Sequence, residues 1–253
     1  MNYKAVIADV DGTLFPPSEV PSPKPSESLI EAVKKVQDRG VSFSIASGRS
    51  LPWVREIING FNLHSPIILD NGAKIYDCSK KEYVWESYIS KNTAQKIVHE
   101  LIADKSLNVI VADGEERVTD PLKIINWKIS KILVLGVTPQ KAEDLCQSLK
   151  KFTDIHVTKS ISGTGERSQS IHVTNFDATK QTAVAKLLDF LHITQDEVVG
   201  IGDSYNDFPL LMACGLKVAM GNAVEDLKAI ADYIAPTYAE DGVAKVLKKF
   251  ILK

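Results

Sequence analysis

The chain has 253 residues, 44% of them hydrophobic and 25% charged, and carries a formal net charge of -2. This ordinary globular balance excludes pervasive disorder, collagen-like repetition and a disulfide scaffold, and the near-neutral charge gives no footing for broad electrostatic binding of nucleic acid. No apolar stretch approaches the roughly 20 residues that a membrane helix needs. The length allows one large domain or two modest ones. Cys78, Cys146 and Cys214 stand far apart without zinc-type spacing. Tyr3-Lys4-Ala5-Val6 runs straight into the first apolar segment with no signal-peptide h-region ahead of it. A cytoplasmic protein is expected, monomeric or homodimeric, with neither nucleic acid nor membrane as partner.

Lys4 to Val10 is a short apolar run rich in Val and Ile, which predicts a buried strand. The segment from Phe15 to Pro25 holds five of the chain's 11 prolines and must be a loop. Ser26 then precedes Leu29, Ile30, Val33 and Val36 at helical spacing, with Gly40 as the stop. Val41 to Ala46 reads as a second strand and Ser50 to Asn59 as a second helix. Ile67 to Leu69 reads as a third strand, ending at Asp70-Asn71-Gly72-Ala73. This strand-helix repetition predicts an α/β, doubly wound parallel sheet whose ligands bind at the carboxyl ends of its strands. From residue 83 to 175 the pattern changes. Alternating, half-exposed strands at Asn108 to Ala112, Lys131 to Val137, Ile155 to Lys159 and Ser170 to Val173 interleave with helices at Thr93 to Ala103 and Gln140 to Phe152. An α+β module, 83–175, is therefore expected inside a discontinuous core, 1–82 and 176–253, with a cleft between the two. The doubly wound pattern returns with a helix at Thr179 to Leu191, a strand at Glu197 to Ile201, a helix at Asp207 to Ala213 and a strand at Lys217 to Met220.

Four clusters carry chemistry. Asp9-Val10-Asp11-Gly12-Thr13-Leu14 closes the first strand, where residues two apart share a face and both carboxylates reach one point. One ionised carboxylate could attack phosphorus while its neighbour, with a raised pKa, holds a proton for a leaving oxygen. Gly12 lets the backbone turn tightly beside a ligand, although Asp-Gly is also a common turn pair. Ser47-Gly48-Arg49 offers a hydroxyl and backbone N–H groups at a helix start, a phosphate cradle that simple N-capping also explains. Lys180 stands near the start of a later helix. Gly200-Ile201-Gly202-Asp203-Ser204-Tyr205-Asn206-Asp207 places two carboxylates four residues apart, on one side of a first helical turn, as oxygen ligands that suit Mg²⁺. Its missing third glycine argues against a dinucleotide fingerprint.

As an ordered set these clusters resemble the motifs of the haloacid dehalogenase-like superfamily, and within it the Cof-type phosphatases with a large inserted C2B-type cap. Asp70-Asn71-Gly72-Ala73 and Met220-Gly221-Asn222-Ala223 are similar to secondary signatures of that subgroup. Asp70, Gln181 and the proline-rich loop depart mildly from its usual pattern. The resemblance implies a Rossmann-like core and a Mg²⁺-dependent phosphomonoesterase acting on a small phosphorylated metabolite, a sugar phosphate or phosphoglycolate. It implies Asp9 as nucleophile and Asp11 as acid and base. Gly12, Ser47, Gly48, Lys180 and Asn206 would bind phosphate, and Arg49 and Asn71 the substrate. Mg²⁺ would be held by Asp9, the Asp11 backbone carbonyl and Asp203, with Asp207 supporting them. Alternatives are a phosphohexomutase, a sucrose-phosphate or mannosyl-3-phosphoglycerate-type phosphatase, and a non-catalytic regulatory protein on the same fold. The five histidines are too scattered to suggest a metal or catalytic role. Trp53, Trp85 and Trp127 read as packing residues, and Ser162-Gly163-Thr164-Gly165 as a loop. Arg117, Lys123, Lys128 and Arg167 are charged side chains of the inserted module, read as solvated.

Overall fold

In a computed structural model that describes residues 3–17, 24–161 and 169–253, the first apolar run forms β1 (Ala5–Ala8), every residue of which is buried. Burial on both faces is what a central parallel strand requires. The loop residues 18–23, the Ser162-Gly163-Thr164-Gly165 segment and Arg167 lie outside the described residues. α1 (Glu27–Asp38) starts where Ser26 accepts a hydrogen bond from the Leu29 N–H, and it buries Leu29, Ala32, Val33 and Val36. β2 (Ser42–Ile45) follows. A 3₁₀ turn over Leu51–Trp53, opened by Pro52, then leads into α2 (Arg55–Phe61). The helix expected from Ser50 is thus divided, because the proline suits only a first turn.

β3 (Pro66–Leu69) corrects an expectation. It pairs antiparallel with β4 (Lys74–Asp77), and with β5 (Glu82–Glu86) these form a separate three-stranded sheet. A single parallel bridge, Ala46 to Ile68, ties it to the end of β2. A buried apolar run such as Ile67-Ile68-Leu69 looks the same in either kind of sheet, so periodicity could not distinguish them.

The chain divides into two compact units, Met1–Val84 with Lys180–Lys253, and Trp85–Thr179. The second unit contains α3 (Lys91–Ala103), β6 (Asn108–Asp113), β7 (Glu116–Val118), β8 (Ile129–Val137), α4 (Pro139–Leu149), β9 (Ile155–Ile161) and β10 (Gln169–Asn175). Its sheet runs in the order β7-β6-β8-β10-β9 and is antiparallel throughout. Ile97 and Leu101 of α3 and Ala142 and Leu149 of α4 share one core with Val111, Ile132, Val134, Ile171 and Val173. The alternate residue His172 lies 2.8 Å from the Ser160 hydroxyl, and burial, aided by Lys131, pushes its imidazole down to about 3. Unfolded, the ring takes a proton near 6.5. The folded state therefore loses stability as pH falls from 6.5 towards 3, and gains nothing from this group above 6.5. Between about pH 7 and pH 4 the Tm of wild type is expected to fall several degrees further than that of His172→Gln, followed by circular dichroism.

The first unit resumes with α5 (Lys180–Leu191), β11 (Val198–Gly202), α6 (Phe208–Met212), β12 (Leu216–Ala219), α7 (Glu225–Ile230), β13 (Tyr233–Ile234) and α8 (Gly242–Phe250). Its main sheet has the order β13-β12-β11-β1-β2, and every pair is parallel. α1 packs on α8, and α5 packs on α6. The chain crosses from β1 outward to β2, then returns to β1's other side through β11. The carboxyl ends of β1 and β11 therefore stand side by side at a switch in strand order. No helix among the described residues is long and apolar enough to cross a membrane.

Candidate active site

Asp9 follows β1 and Asp203 follows β11, and the Asp9 N–H donates to the Ile201 carbonyl at 2.9 Å. Lys180 reaches this point from the first residue of α5. Its Nζ lies 2.6 Å from Asp9 Oδ1 and 2.6 Å from Asp207 Oδ1, with only 2% of the lysine side chain exposed. The other oxygen of Asp207 accepts the backbone N–H groups of Asp203 and Ser204, both at 3.0 Å. Asp207 thus caps the 3₁₀ turn Tyr205–Asp207 instead of sharing a helical face with Asp203. Gly202 makes room for it, since a Cβ there would stand 2.5 Å from the Asp207 Cβ. Asn206 is half-buried in the same turn.

Burial, then repulsion from Asp207, raises the Asp9 carboxyl well above its usual range against the pull of Lys180. Burial and Asp207 push Asp203 up to about 7, against a hydrogen bond from Thr13. Burial alone would lower Lys180, but facing Asp207 and Asp9 holds it above the ordinary lysine value. One buried cation therefore stands among three carboxylates, a deficit of positive charge. Oxygens of Asp9, Asp203 and Asp207 lie within 4.8 Å of one another. An all-oxygen donor set of this kind suits a hard divalent cation such as Mg²⁺. Because both oxygens of Asp207 are already engaged, Asp9 and Asp203 are the better direct ligands.

Asp11 points elsewhere. Arg49 donates from Nε to Asp11 Oδ2 at 2.9 Å and from Nη2 to Asp11 Oδ1, a two-pronged pair. Arg49 is nearly buried, while Asp11 is 37% exposed. An arginine expected to meet substrate thus meets the second carboxylate of the first motif. Ser47, 1% exposed, accepts the Arg49 N–H on its hydroxyl at 3.0 Å. The Ser47 and Arg49 carbonyls accept the N–H groups of Asn71 and Asp70 at 3.0 and 3.1 Å. Asp70 and Asn71 hold left-handed φ of 51° and 58°, and a Cβ on Gly48 would stand 2.7 Å from Asn71 Oδ1. Ser50 donates to the buried Asp70 carboxylate, and Lys74 Nζ lies 3.5 Å from it. The turn at 70–73 is in this way built against Ser47-Gly48-Arg49, bringing Asn71 to that loop.

Sequence reasoning assigned no role to Thr13 or Asn222. Thr13 Oγ1 donates to Asp203 Oδ1 at 2.9 Å, and Asn222 Nδ2 donates to the Gly12 carbonyl at 2.8 Å. Both contacts span about two hundred residues of chain, so only the motif strings themselves marked these positions. Gly12 has φ 84°, and a Cβ there would stand 2.2 Å from Asp203 Oδ2. Gly12→Ala is expected to lower the urea midpoint, since a left-handed alanine alone costs roughly 1–2 kcal/mol before Asp203 is displaced. An unchanged midpoint would mean that this turn tolerates a side chain.

Residues 6–121 and 113–247 match the sequence model of a family described as haloacid dehalogenase-like hydrolase. The chain is 29% identical to the 5-amino-6-(5-phospho-D-ribitylamino)uracil phosphatase YcsE of Bacillus subtilis, over 100% of this chain and 97% of that protein. It is 28% identical to phosphoglycolate phosphatase 1 of Saccharolobus solfataricus, over 98% and 96%. Its fold is similar to a crystal structure of a haloacid dehalogenase-like hydrolase from Bacteroides thetaiotaomicron, with TM-score 0.82 and 25% identity over 99% of this chain and 100% of that one.

Proposed function

Because the chain belongs to the family of haloacid dehalogenase-like hydrolases, we propose that it is a Mg²⁺-dependent phosphomonoesterase that transfers a phosphoryl group to Asp9 and then to water. The observation that carries the proposal is Lys180 held between Asp9 and Asp207, with Asp203 alongside. Phosphoryl transfer depends on positioning and charge neutralisation, and this cluster supplies both. Asp9, Asp203 and the Asp11 carbonyl would hold Mg²⁺, which when bound neutralises charge on the phosphoryl oxygens.

In the first step an Asp9 oxygen bonds to phosphorus as the bond to the leaving alcohol oxygen breaks, and Asp11 gives that oxygen its proton. In the second, Asp11 takes a proton from water, whose oxygen displaces the phosphoryl group from Asp9 as inorganic phosphate. Lys180 offsets the repulsion between the Asp9 carboxylate and an incoming phosphate dianion. Ser47, Gly48, Gly12 and Asn206 are proposed to bind the phosphoryl oxygens, and Asn71 the rest of the substrate. Arg49, paired with Asp11 in this structure, would free that carboxyl for proton transfer by turning to a substrate anion. The proposed partner is a small phosphorylated metabolite in the cytoplasm, and the named relatives support sugar-phosphate-like and phosphoglycolate-like esters as the class. The test is phosphate release from a panel of such esters with Mg²⁺ or with EDTA. Release from some member that EDTA abolishes is expected; release that survives EDTA would contradict the metal assignment.

A further inference from the structure

Met220-Gly221-Asn222-Ala223 stands out in the sequence but has no part in the chemistry above, and its geometry points to one. The Asn222 carboxamide joins three segments. It donates to the Gly12 carbonyl at 2.8 Å and accepts the Tyr238 N–H at 3.2 Å. Two residues on, the Val224 N–H donates to the Asp203 carbonyl at 2.9 Å. The same turn therefore grips the loop after β1 through a side chain and the loop after β11 through the backbone. Thr13 to Asp203, at 2.9 Å, closes the ring.

Gly12 is the joint between two peptide planes. On one side its N–H donates to the Phe15 carbonyl at 2.7 Å. On the other its C=O is held by Asn222. A trans peptide points its C=O opposite to its N–H, so pinning the Gly12 N–H also aims the Asp11 carbonyl. With only one plane pinned, a glycine at φ 84° keeps the freedom that glycine has in this region. With both pinned, the direction of the Asp11 carbonyl and the root of the Asp11 side chain are set. We infer that Asn222 is a positioning residue: by holding the Gly12 carbonyl it orients Asp11 for its backbone and side-chain roles. The inference rests on the proposed phosphatase reading for those roles, whereas the contact itself does not.

Asn222 is exposed, so replacing it leaves the core intact, and two variants separate its two bonds. Asn222→Ala removes both. Asn222→Asp keeps an acceptor for the Tyr238 N–H but loses the donor to Gly12. Both variants are expected to lower kcat about five- to tenfold, the effect of about one hydrogen bond, with KM changed less than about twofold. Both should also raise by a similar factor the Mg²⁺ concentration that half-saturates the thermal shift of the protein, a readout that needs no turnover. Their Tm in EDTA should stay within a few degrees of wild type. An aspartate variant that behaves like wild type would show that the Gly12 contact is idle and overturn the inference. So would a drop in Tm large enough to account for the lost activity. If wild type releases no phosphate from any ester, the phosphatase reading fails by itself, and the Mg²⁺ thermal shifts alone decide the role of Asn222.

Discussion

Asp9→Asn is expected to lower phosphate release by at least about a thousandfold, because the carboxamide cannot accept the phosphoryl group. The substitution is nearly isosteric, and Asn can still accept from Lys180. It also removes one charge from a cluster in which three carboxylates face one buried lysine. The metal-free variant should therefore melt at or above the wild-type temperature, an unusual outcome for a buried substitution. Phosphate release and thermal melts in EDTA, on the same preparations, check both halves. Lost activity with a lowered Tm would attribute the effect to damage and not to chemistry.

Lys180→Met carries the largest expected effect on stability. The lysine is 2% exposed and bonded at 2.6 Å to both Asp9 and Asp207. Met retains much of the side chain's volume but leaves two buried carboxylates facing each other without a cation. Breaking a buried pair in this way costs about 3–5 kcal/mol, which a urea midpoint reads directly. The raised Asp9 carboxyl softens the loss at low pH, because a protonated acid needs no partner. The gap between variant and wild type should therefore be smaller at about pH 5 than at about pH 8. A gap independent of pH would mean that packing, and not charge, makes Lys180 matter.

The fold class was legible because it rests on local signals. Val and Ile runs mark β1 and β11, and Ser26 caps α1 as its hydroxyl suggested. The change in strand and helix pattern after residue 83 marks the second unit, although its strands β6 and β8 are buried more continuously than the expected alternation. Elements too short to show a period escaped: β7 has three residues and β13 has two. The amphipathic α8, plain in the structure, lies beyond the last motif and was passed over. β3 is a strand as expected, but its antiparallel pairing with β4 was not legible, because an apolar run carries no sign of its partner's direction. At the site, strand order explains why Asp9 and Asp203 end up adjacent. What no spacing could supply were contacts made across the chain: Arg49 with Asp11 over 38 residues, and Asn222 with Gly12 over 210. Asp207 lies beside Asp203, as their spacing suggested, but reaches that place by another route. Its carboxylate folds back to cap its own 3₁₀ turn, where the spacing had suggested a shared helical face.

The most direct test of the proposed chemistry is to find where the phosphoryl group goes. Wild type turning over its best ester with Mg²⁺ would be quenched with borohydride, which reduces an acyl phosphate to the alcohol, and the peptides then sequenced. Conversion of residue 9 to homoserine, absent without substrate and absent in Asp9→Asn, is the predicted result. Conversion at Asp11, Asp203 or any other carboxylate, with residue 9 unchanged, would contradict it.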